Sequence, residues 1–569
     1  MAVHILGVSC HYHDAAACVV KDGKVIAAAE EERFTRKKHD HSFPENAIRY
    51  CLKETGITGQ QLDYVGFYEK PVLKFTRMLE THIDTFPKSI VQFTRAVPTW
   101  LTEKLRIPSL IKSKTGYKGD IIFIKHHMSH AASAFLPSPF EEAAIITWDA
   151  VGEWTTATYG VGKGNKLKLM KELHFPNSIG MLYSTVTAFL GFKINSDEYK
   201  VMGLASYGKP KHYDKLKKLI TQLEDGSIKL NMDYFDYEHS FRMYSKRFIK
   251  EFGKPRKPET EIKKYHTDLA ASLQKLTEDM MLKIAKHVKK ETKQRALCMA
   301  GGVALNVVAN KRILEESGFE KLWVQPAASD AGGALGVAMY IYNSMLSNKR
   351  SYAMTNAYLG PSYTSEEIRM FIQENSIPHR ECKDEEELLQ ETAKLINENN
   401  IIGWFQGRME YGPRALGNRS ILANALNAEM KDILNNKVKH REDFRPFAPV
   451  TTEDEAKNYF KIRQSDPFMV LLVDVKESKK ETIPAVTHID GTARLQTITK
   501  KDNPRLYLLI KTFKKLSGVP VLINTSFNVR GEPIVCTLHD AYKCFTNTGI
   551  DYLVMDRFIV AKKDIKEGE

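Results

Sequence analysis

Ala144-Ile145-Ile146-Thr147-Trp148-Asp149 is an apolar run closed by an acid. A run this short, rich in β-branched and aromatic residues, reads as a buried strand. Gly152 follows, then a strand over Thr155–Val161, a turn at Gly162-Lys163-Gly164-Asn165 and a returning strand over Leu167–Leu173. The N-terminus repeats the plan. Val3–Cys10 reads as a buried strand and leads into His11, Tyr12, His13 and Asp14. Ala15–Val20 is a second strand, Lys21-Asp22-Gly23-Lys24 a D-G hairpin turn, and Val25–Glu30 the return. Two strand–acid–hairpin units in one chain point to an internal duplication. In each, a turn at a strand end offers polar groups to a phosphate or a metal-bound phosphate.

Working outward from Asp149, the stretch Ile124-Lys125-His126-His127-Met128-Ser129-His130-Ala131-Ala132 carries two histidines four apart. On a helix that spacing puts both imidazoles on one face. Asp330 sits in Ala328-Ser329-Asp330-Ala331-Gly332-Gly333, a break before an apolar helix. Two imidazoles with two carboxylates suit a divalent first-row metal with open positions for substrate oxygens. A four-apart histidine pair alone is more often an ordinary core or surface pair. The metal reading therefore requires that His126, His130, Asp149 and Asp330 converge.

The chain has 569 residues, enough for two to four domains, and a formal net charge of +14. The excess charge fits nucleic acid, an anionic surface or phosphate-rich substrates as partners, but spaced lysines such as those at 209–218 read as solvated surface. The seven cysteines are odd in number and form no C-x-x-C pair, which excludes a zinc ribbon and argues for a reducing compartment. No signal peptide or membrane-length apolar run is apparent, so a cytoplasmic protein is expected, with neither a membrane nor nucleic acid as partner.

Residues 70–115 and 211–265 read as insertions, aromatic and basic with proline breaks, of the kind that wall an acceptor pocket. Residues 266–292 read as one amphipathic helix with Leu269, Leu273, Leu276, Met280 and Ile284 facing the core. Ala296–Asn306 reads as a strand, a double glycine and a helix start, where backbone amides can approach a phosphate. A boundary is expected over 345–365. Beyond it a helix (Glu385–Asn399) and a strand (Ile401–Phe405) lead into Gly412-Pro413-Arg414-Ala415-Leu416-Gly417-Asn418-Arg419. Lys439, Arg441, Arg445 and Arg494 follow, then Asn524-Thr525-Ser526-Phe527-Asn528. Arginines interleaved with Gly, Pro, Ser and Asn point to a polyphosphate pocket, since guanidinium forks grip phosphate oxygens in pairs. Nucleic acid would ask for a longer basic stripe with exposed aromatics.

Taken together, these stretches resemble the O-carbamoyltransferase family of the NodU and TobZ type over nearly the whole chain. The resemblance rests on Cys10–Ala16, Glu31-Glu32-Arg33, His126–Ala131, Trp148–Glu153, Gly301–Asn306, Gly412–Gly417 and Asn524–Asn528, in that order. It implies an α/β protein. Residues 1–350 would form a duplicated actin-like (ASKHA) domain and residues 360–569 a YrdC-like α/β domain. The second domain would join ATP, with Mg²⁺, to carbamoyl phosphate, making carbamoyladenylate and pyrophosphate. The first would pass the carbamoyl group to the hydroxyl of a small acceptor, a sugar, aminoglycoside or similar metabolite, and release AMP.

On that reading Arg414, Arg419, Lys439, Arg441, Arg445 and Arg494 neutralise phosphates, and Asn524, Ser526 and Asn528 position the carbamoyl group and ribose or phosphate oxygens. The metal site would hold the adenylate phosphate, with Lys38, Asp149, Gly180, Gly302 and Asn306 around the carbamoyladenylate. His13 is the expected base for the acceptor hydroxyl, because an imidazole titrates near neutrality. Iron is the metal the resemblance implies; the ligands alone would equally take Mn²⁺ or Zn²⁺. A tRNA threonylcarbamoyl-type enzyme is the nearest rival, but the joined C-terminal unit speaks against it. A hydrogenase-maturation carbamoyltransferase would carry zinc fingers and the reverse domain order. An actin-like ATP-binding regulator would leave the arginine cluster and the metal set without a task.

Overall fold

The strand quoted first, β6 (Glu142–Trp148), is buried from Ala143 to its end and lies in the middle of a five-stranded sheet. In the computed structural model, which describes residues 2–565, β6 pairs antiparallel with β7 (Thr155–Lys163), and β7 with β8 (Lys166–His174). On its other side β6 runs parallel to β11 (Ala296–Ala300), and β11 to β12 (Lys321–Val324). The intervening β9 (Ile220–Gln222) and β10 (Ile228–Leu230) form a small separate hairpin.

The N-terminal strands repeat this layout. β1 (His4–Ser9) pairs antiparallel with β2 (Ala16–Lys21), and β2 with β3 (Lys24–Glu30). It runs parallel to β4 (Tyr64–Phe67), and β4 to β5 (Ile121–Phe123). The two orders, β3-β2-β1-β4-β5 and β8-β7-β6-β11-β12, are the same topology used twice. That is the duplicated α/β arrangement of an actin-like fold.

Small residues allow the halves to close on each other. The helix Asp330–Met339 is Ala- and Gly-rich and packs on both β1 and the helix His126–Phe135. A Cβ on Gly336 would stand 2.0 Å from the Ser129 carbonyl oxygen, so any side chain there would push the two helices apart. The expected amphipathic helix runs over Lys264–Thr292 and buries Leu269, Leu273, Leu276, Met280 and Ile284. Residues 70–115 form three helices, Pro71–Thr85, Ile90–Thr102 and Ile107–Thr115.

The chain divides into two compact units. One includes His39–Met354 and the N-terminal residues up to Glu31; the other takes Glu32–Lys38 and all that follows Thr355. The second unit is built on a mixed eight-stranded sheet. Its central strands are Ile402–Phe405, Arg419–Asn424, Val521–Ser526 and Ala448–Thr452, each antiparallel to the next. The helices Glu385–Asn397 and Pro504–Ser517 cover one apolar face with Leu388, Ile396, Leu506 and Phe513 against Trp404 and Leu422.

The placement of Glu32–Lys38 was not anticipated. It forms a single helical turn, Glu32–Thr35, within the second unit. Phe34 packs against Met409, Ala415, Ile534 and Cys536. Arg33 donates to the Gly412 carbonyl at 2.7 Å, and Arg36 donates to the carbonyls of Ile534 (2.7 Å) and Pro533 (2.8 Å).

Candidate functional site

His126 opens the helix His126–Phe135 and His130 lies one turn on, so both rings project from the same face. Asp149 follows the last residue of β6, and Asp330 is the first residue of the helix Asp330–Met339, where a carboxylate meets the positive end of the helix dipole. The topology brings the four together. One ligand atom from each lies within 4.8 Å of all the others, and all four residues are buried.

His126 Nε2 is 3.1 Å from His130 Nε2 and 2.9 Å from Asp149 Oδ2. Asp330 Oδ1 lies 3.6 Å and 3.7 Å from the two Nε2 atoms. Ligand atoms each about 2.0–2.2 Å from one ion stand about 3.0–3.5 Å apart, so these edges fit a shared divalent cation. The Nδ1 atoms of both rings are buried without a hydrogen-bond partner, which leaves the two Nε2 atoms as the converging pair. Burial opposes charging His130 and Asp149, but their mutual contact outweighs it. His130 is lifted to about 9 by Asp149 and Asp330, and Asp149 is held well below the usual carboxylate range by the two imidazoles.

Sequence reading missed the residues that hold this set. Tyr68, fully buried, donates to Asp330 Oδ2 at 3.2 Å. Glu153 accepts from the backbone N–H of His126 (3.0 Å) and of Lys70 (2.8 Å), tying the start of the histidine helix to the start of the first insertion helix. Glu69 pairs with buried Lys74 at 2.5 Å and reaches to 3.8 Å from His126 Nδ1. Outer partners of this kind orient metal ligands, and their loss costs about 10–100-fold in affinity. Tyr68→Phe should therefore weaken divalent-metal binding by about tenfold with an unchanged melting curve. Equilibrium dialysis against a chelator measures it, and unaltered affinity would deny Tyr68 the role.

His13 sits on the loop after β1 with its ring half-buried. Its Nδ1 is 2.9 Å from Asp14 Oδ2 and its Nε2 is 2.6 Å from the Asn195 carbonyl oxygen. Asp14 also takes His39 Nδ1 (2.8 Å) on its other oxygen and a hydrogen bond from Ser329 Oγ (2.7 Å). Burial works against a charged His13, yet Asp14 prevails and raises its pKa to about 10.

Around Asp149, Gly180 lies in the first turn of the helix Ile179–Phe189, and Gly302 begins the short turn that follows β11. Gly301 has φ +92°, and a Cβ there would stand 2.1 Å from the Trp148 carbonyl, so only glycine lets this turn close on the end of β6. Asn306 caps the helix Val307–Glu316 through Oδ1 (3.1 Å from Ala309 N) and exchanges hydrogen bonds with Gln274. Those bonds engage its side chain in the fold. Lys38 ends the segment that folds with the second unit.

In the second unit a cationic cluster forms around buried Lys439, with Arg414, Arg441, Arg445 and Arg494 partly buried. Lys439 Nζ donates to the carbonyl of Ser526 and to Asn528 O and Oδ1 at 3.0 Å. Arg441 donates to Asn435 Oδ1 at 2.8 Å and lies over the Phe447 ring, 4.6 Å from its centroid. Arg494 is partly buried, and its buried Nε has no hydrogen-bond partner. Burial, then Arg414, Arg441 and Arg445, hold Arg494 well below the usual guanidinium range; burial, Arg441 and Arg445 do the same to Lys439. Arg419 stands apart from this set. It is fully buried on the Phe405 ring, 3.7 Å from the centroid, and donates to the carbonyls of Gln406 (2.6 Å) and Pro361 (2.9 Å). Its guanidinium is engaged by loop carbonyls next to its own strand. Asn524 is also buried, donating to Gln496 Oε1 at 2.7 Å.

All seven cysteines are free and buried, and no helix among the described residues is long and apolar enough to cross a membrane.

The profile described as Carbamoyltransferase N-terminus matches residues 4–339, and that described as Carbamoyltransferase C-terminus matches residues 393–562. An uncharacterized Synechocystis protein, sll1178, is 46% identical, over 98% of this chain and 97% of its own length. Nodulation protein NolNO of Sinorhizobium fredii is 37% identical, over 97% of this chain and 79% of its own. Nodulation protein U of Rhizobium fredii is 28% identical, over 91% and 89%. With both profiles matched in order and relatives of this closeness over nearly its full length, the chain belongs to the carbamoyltransferase family and is an enzyme that carbamoylates a hydroxyl.

Proposed function

We propose that the second unit, as a YrdC-like domain, makes carbamoyladenylate from ATP and carbamoyl phosphate, and that the first transfers the carbamoyl group to a small hydroxyl-bearing acceptor with release of AMP. Atom balance requires that the first step release pyrophosphate and the phosphate of carbamoyl phosphate, with water taken up. The observation that carries this reading is the partly buried cationic cluster around Lys439. Burial, with the fields of Arg441 and Arg445, weakens the hold of Lys439 on its proton, and burial with Arg414, Arg441 and Arg445 does the same to Arg494, so the site is poised for a strongly anionic ligand. ATP and carbamoyl phosphate repel each other by Coulomb's law, and this cluster offsets that cost. Ser526 and Asn528, held by Lys439, line the same place.

In the first unit, His126, His130, Asp149 and Asp330 would hold a divalent ion, by resemblance Fe²⁺, which supplies charge stabilisation for the adenylate phosphate and carbamoyl oxygen. The polypeptide supplies the rest. Tyr68 and Glu153 fix the ligands, Gly180 and Gly302 leave room beside Asp149, and His13 accepts the acceptor's proton at Nε2, which exchanges its contact with the Asn195 carbonyl for the acceptor, while Asp14 on Nδ1 steadies the imidazolium that forms.

His13→Asn should still form carbamoyladenylate and fail to transfer it, seen as exchange of pyrophosphate into ATP without AMP release. With His13 raised to about 10, its base form is scarce at neutral pH and grows tenfold per unit below that value. AMP release in the wild type should therefore climb with pH toward about 10, while exchange does not follow. Equal loss of both steps in His13→Asn, or a flat transfer profile, contradicts the assignment.

A further inference from the structure

Both ring nitrogens of His13 are occupied. Nδ1 meets Asp14 at 2.9 Å, and Nε2 meets the Asn195 carbonyl oxygen at 2.6 Å. A carbonyl only accepts, so Nε2 donates here, and the ring is capped at the nitrogen the acceptor needs. Asn195 lies on the loop between the helices Ile179–Phe189 and Glu198–Ala205, in the left-handed region at φ +57°. Asparagine tolerates that conformation, but its neighbours must select it. Glu198 supplies the selection. Its Oε1 accepts from the Asn195 N–H at 2.8 Å and from Ser184 Oγ at 2.8 Å, and its Oε2 accepts from the Ser196 N–H at 2.9 Å. Asp197 closes the base of the loop, accepting from the Lys193 N–H at 3.2 Å and pairing with buried Lys200 at 3.2 Å.

Ser184 stands on the helix whose first turn holds Gly180, so Glu198 ties this loop to the wall beside Asp149. On the other side of the ring, Asp14 accepts from Ser329 Oγ, next in sequence to Asp330. His39 also faces the ring, with centroids 4.9 Å apart, and Asp330 adds its field. From the loop the neutral Asn195 carbonyl meets His13, while the carboxylates of Asp197 and Glu198 are turned to the loop's own amides. The carbonyl favours the protonated ring and, with Asp14, keeps it protonated at neutral pH. A capped ring cannot take a proton from water, which outnumbers any acceptor around an activated carbamoyl group.

We propose that Glu198 is a positioning residue that holds the Asn195 carbonyl on His13 Nε2 as a stopper. The base is released when an acceptor hydroxyl takes the carbonyl's place, and until then carbamoyladenylate is spared from water. The inference rests on the assignment of His13 as the base. The reaction it suppresses is hydrolysis. Water's oxygen bonds to the carbamoyl carbon, and the bond from that carbon to the adenylate phosphate oxygen breaks. AMP leaves with the bonding pair, one water proton passes to His13 Nε2, and carbamic acid is the other product.

AMP release without any acceptor tests it, with water as the probe and the full-length protein given ATP, Mg²⁺, carbamoyl phosphate and the divalent metal. The wild type should release AMP slowly at neutral pH and faster toward about 10. Glu198→Ala frees the carbonyl from Nε2, and each unit by which the pKa of His13 then falls makes its base form about tenfold more abundant. AMP release at neutral pH should rise about tenfold and its climb should move to lower pH, while pyrophosphate exchange stays the same. Asn195→Pro reaches the same state by another route, because proline cannot adopt φ +57° and brings no N–H for Glu198. Adding His13→Asn to either variant should abolish the gain. Glu198→Ala and Asn195→Pro proteins that release AMP no faster than the wild type, with exchange intact, overturn the proposal. So does a gain that survives His13→Asn. AMP release that His13→Asn alone leaves unchanged brings down the base assignment itself, and this inference with it.

Discussion

Replacing Asp330 by Asn should empty the first unit of divalent metal and stop carbamoyl transfer, while carbamoyl-phosphate-dependent ATP/pyrophosphate exchange continues. Asp330 Oδ1 stands 3.6 Å and 3.7 Å from the two imidazole Nε2 atoms, and its other oxygen is taken by Tyr68. An amide keeps the shape and the Tyr68 hydrogen bond but removes the charge. Loss of a ligand exceeds the loss of an outer partner, so affinity should fall by more than about 100-fold. Losing several kcal/mol of charge stabilisation corresponds to about 10³-fold or more in transfer rate. In the metal-free protein Asp330 also helps hold the proton on buried His130, so the melting temperature of the apo form should fall modestly at neutral pH while the second unit's reaction is kept. Metal content by elemental analysis, with exchange and AMP release measured side by side, decides the matter. Full metal occupancy in Asp330→Asn, or equal loss of both reactions, would refute the division of labour.

Arg441→Ala should have the converse effect, abolishing exchange while the metal content of the first unit is kept. Arg441 adds to the positive field that depresses both Lys439 and Arg494, and it presents a fork steadied by Asn435 and by the Phe447 ring. A guanidinium that grips phosphate in this setting contributes about 3–5 kcal/mol, so exchange should drop at least about 100-fold. Arg441→Lys keeps the charge but loses the paired hydrogen bonds and should fall in between. With one repulsive charge gone, Lys439 holds its proton more easily, and the unfolding midpoint should not fall for electrostatic reasons. Undiminished exchange in Arg441→Ala would remove it from the site.

Much of this could be read from the residues alone. The strand–acid–hairpin repeat is legible because buried central strands write themselves as apolar runs, and Asp22-Gly23 marks its turn. The metal set is legible because a four-apart pair on a helix and acids at element ends are local patterns. Tyr68 and Glu153 were not legible as supports, since their partners lie 262 and 27 residues away. Arg419 and Asn306 carry the same residue types as a ligand site, and only their neighbours reveal that one binds loop carbonyls and the other caps a helix. The charged stretch from Glu31 to His39 has no apolar period, so nothing in it announces that Phe34 inserts among Met409, Ala415, Ile534 and Cys536.

That insertion has a practical corollary for anyone who would excise the C-terminal half. A fragment cut between Met354 and Thr355 lacks Phe34 and the arginines at 33 and 36, so an apolar dimple and the carbonyls of Gly412, Pro533 and Ile534 lose their natural cover. The half is thus no transplantable cassette. Supplying Glu32–Lys38 as a free peptide, or grafting it on as a tether, is the way to make it stand alone.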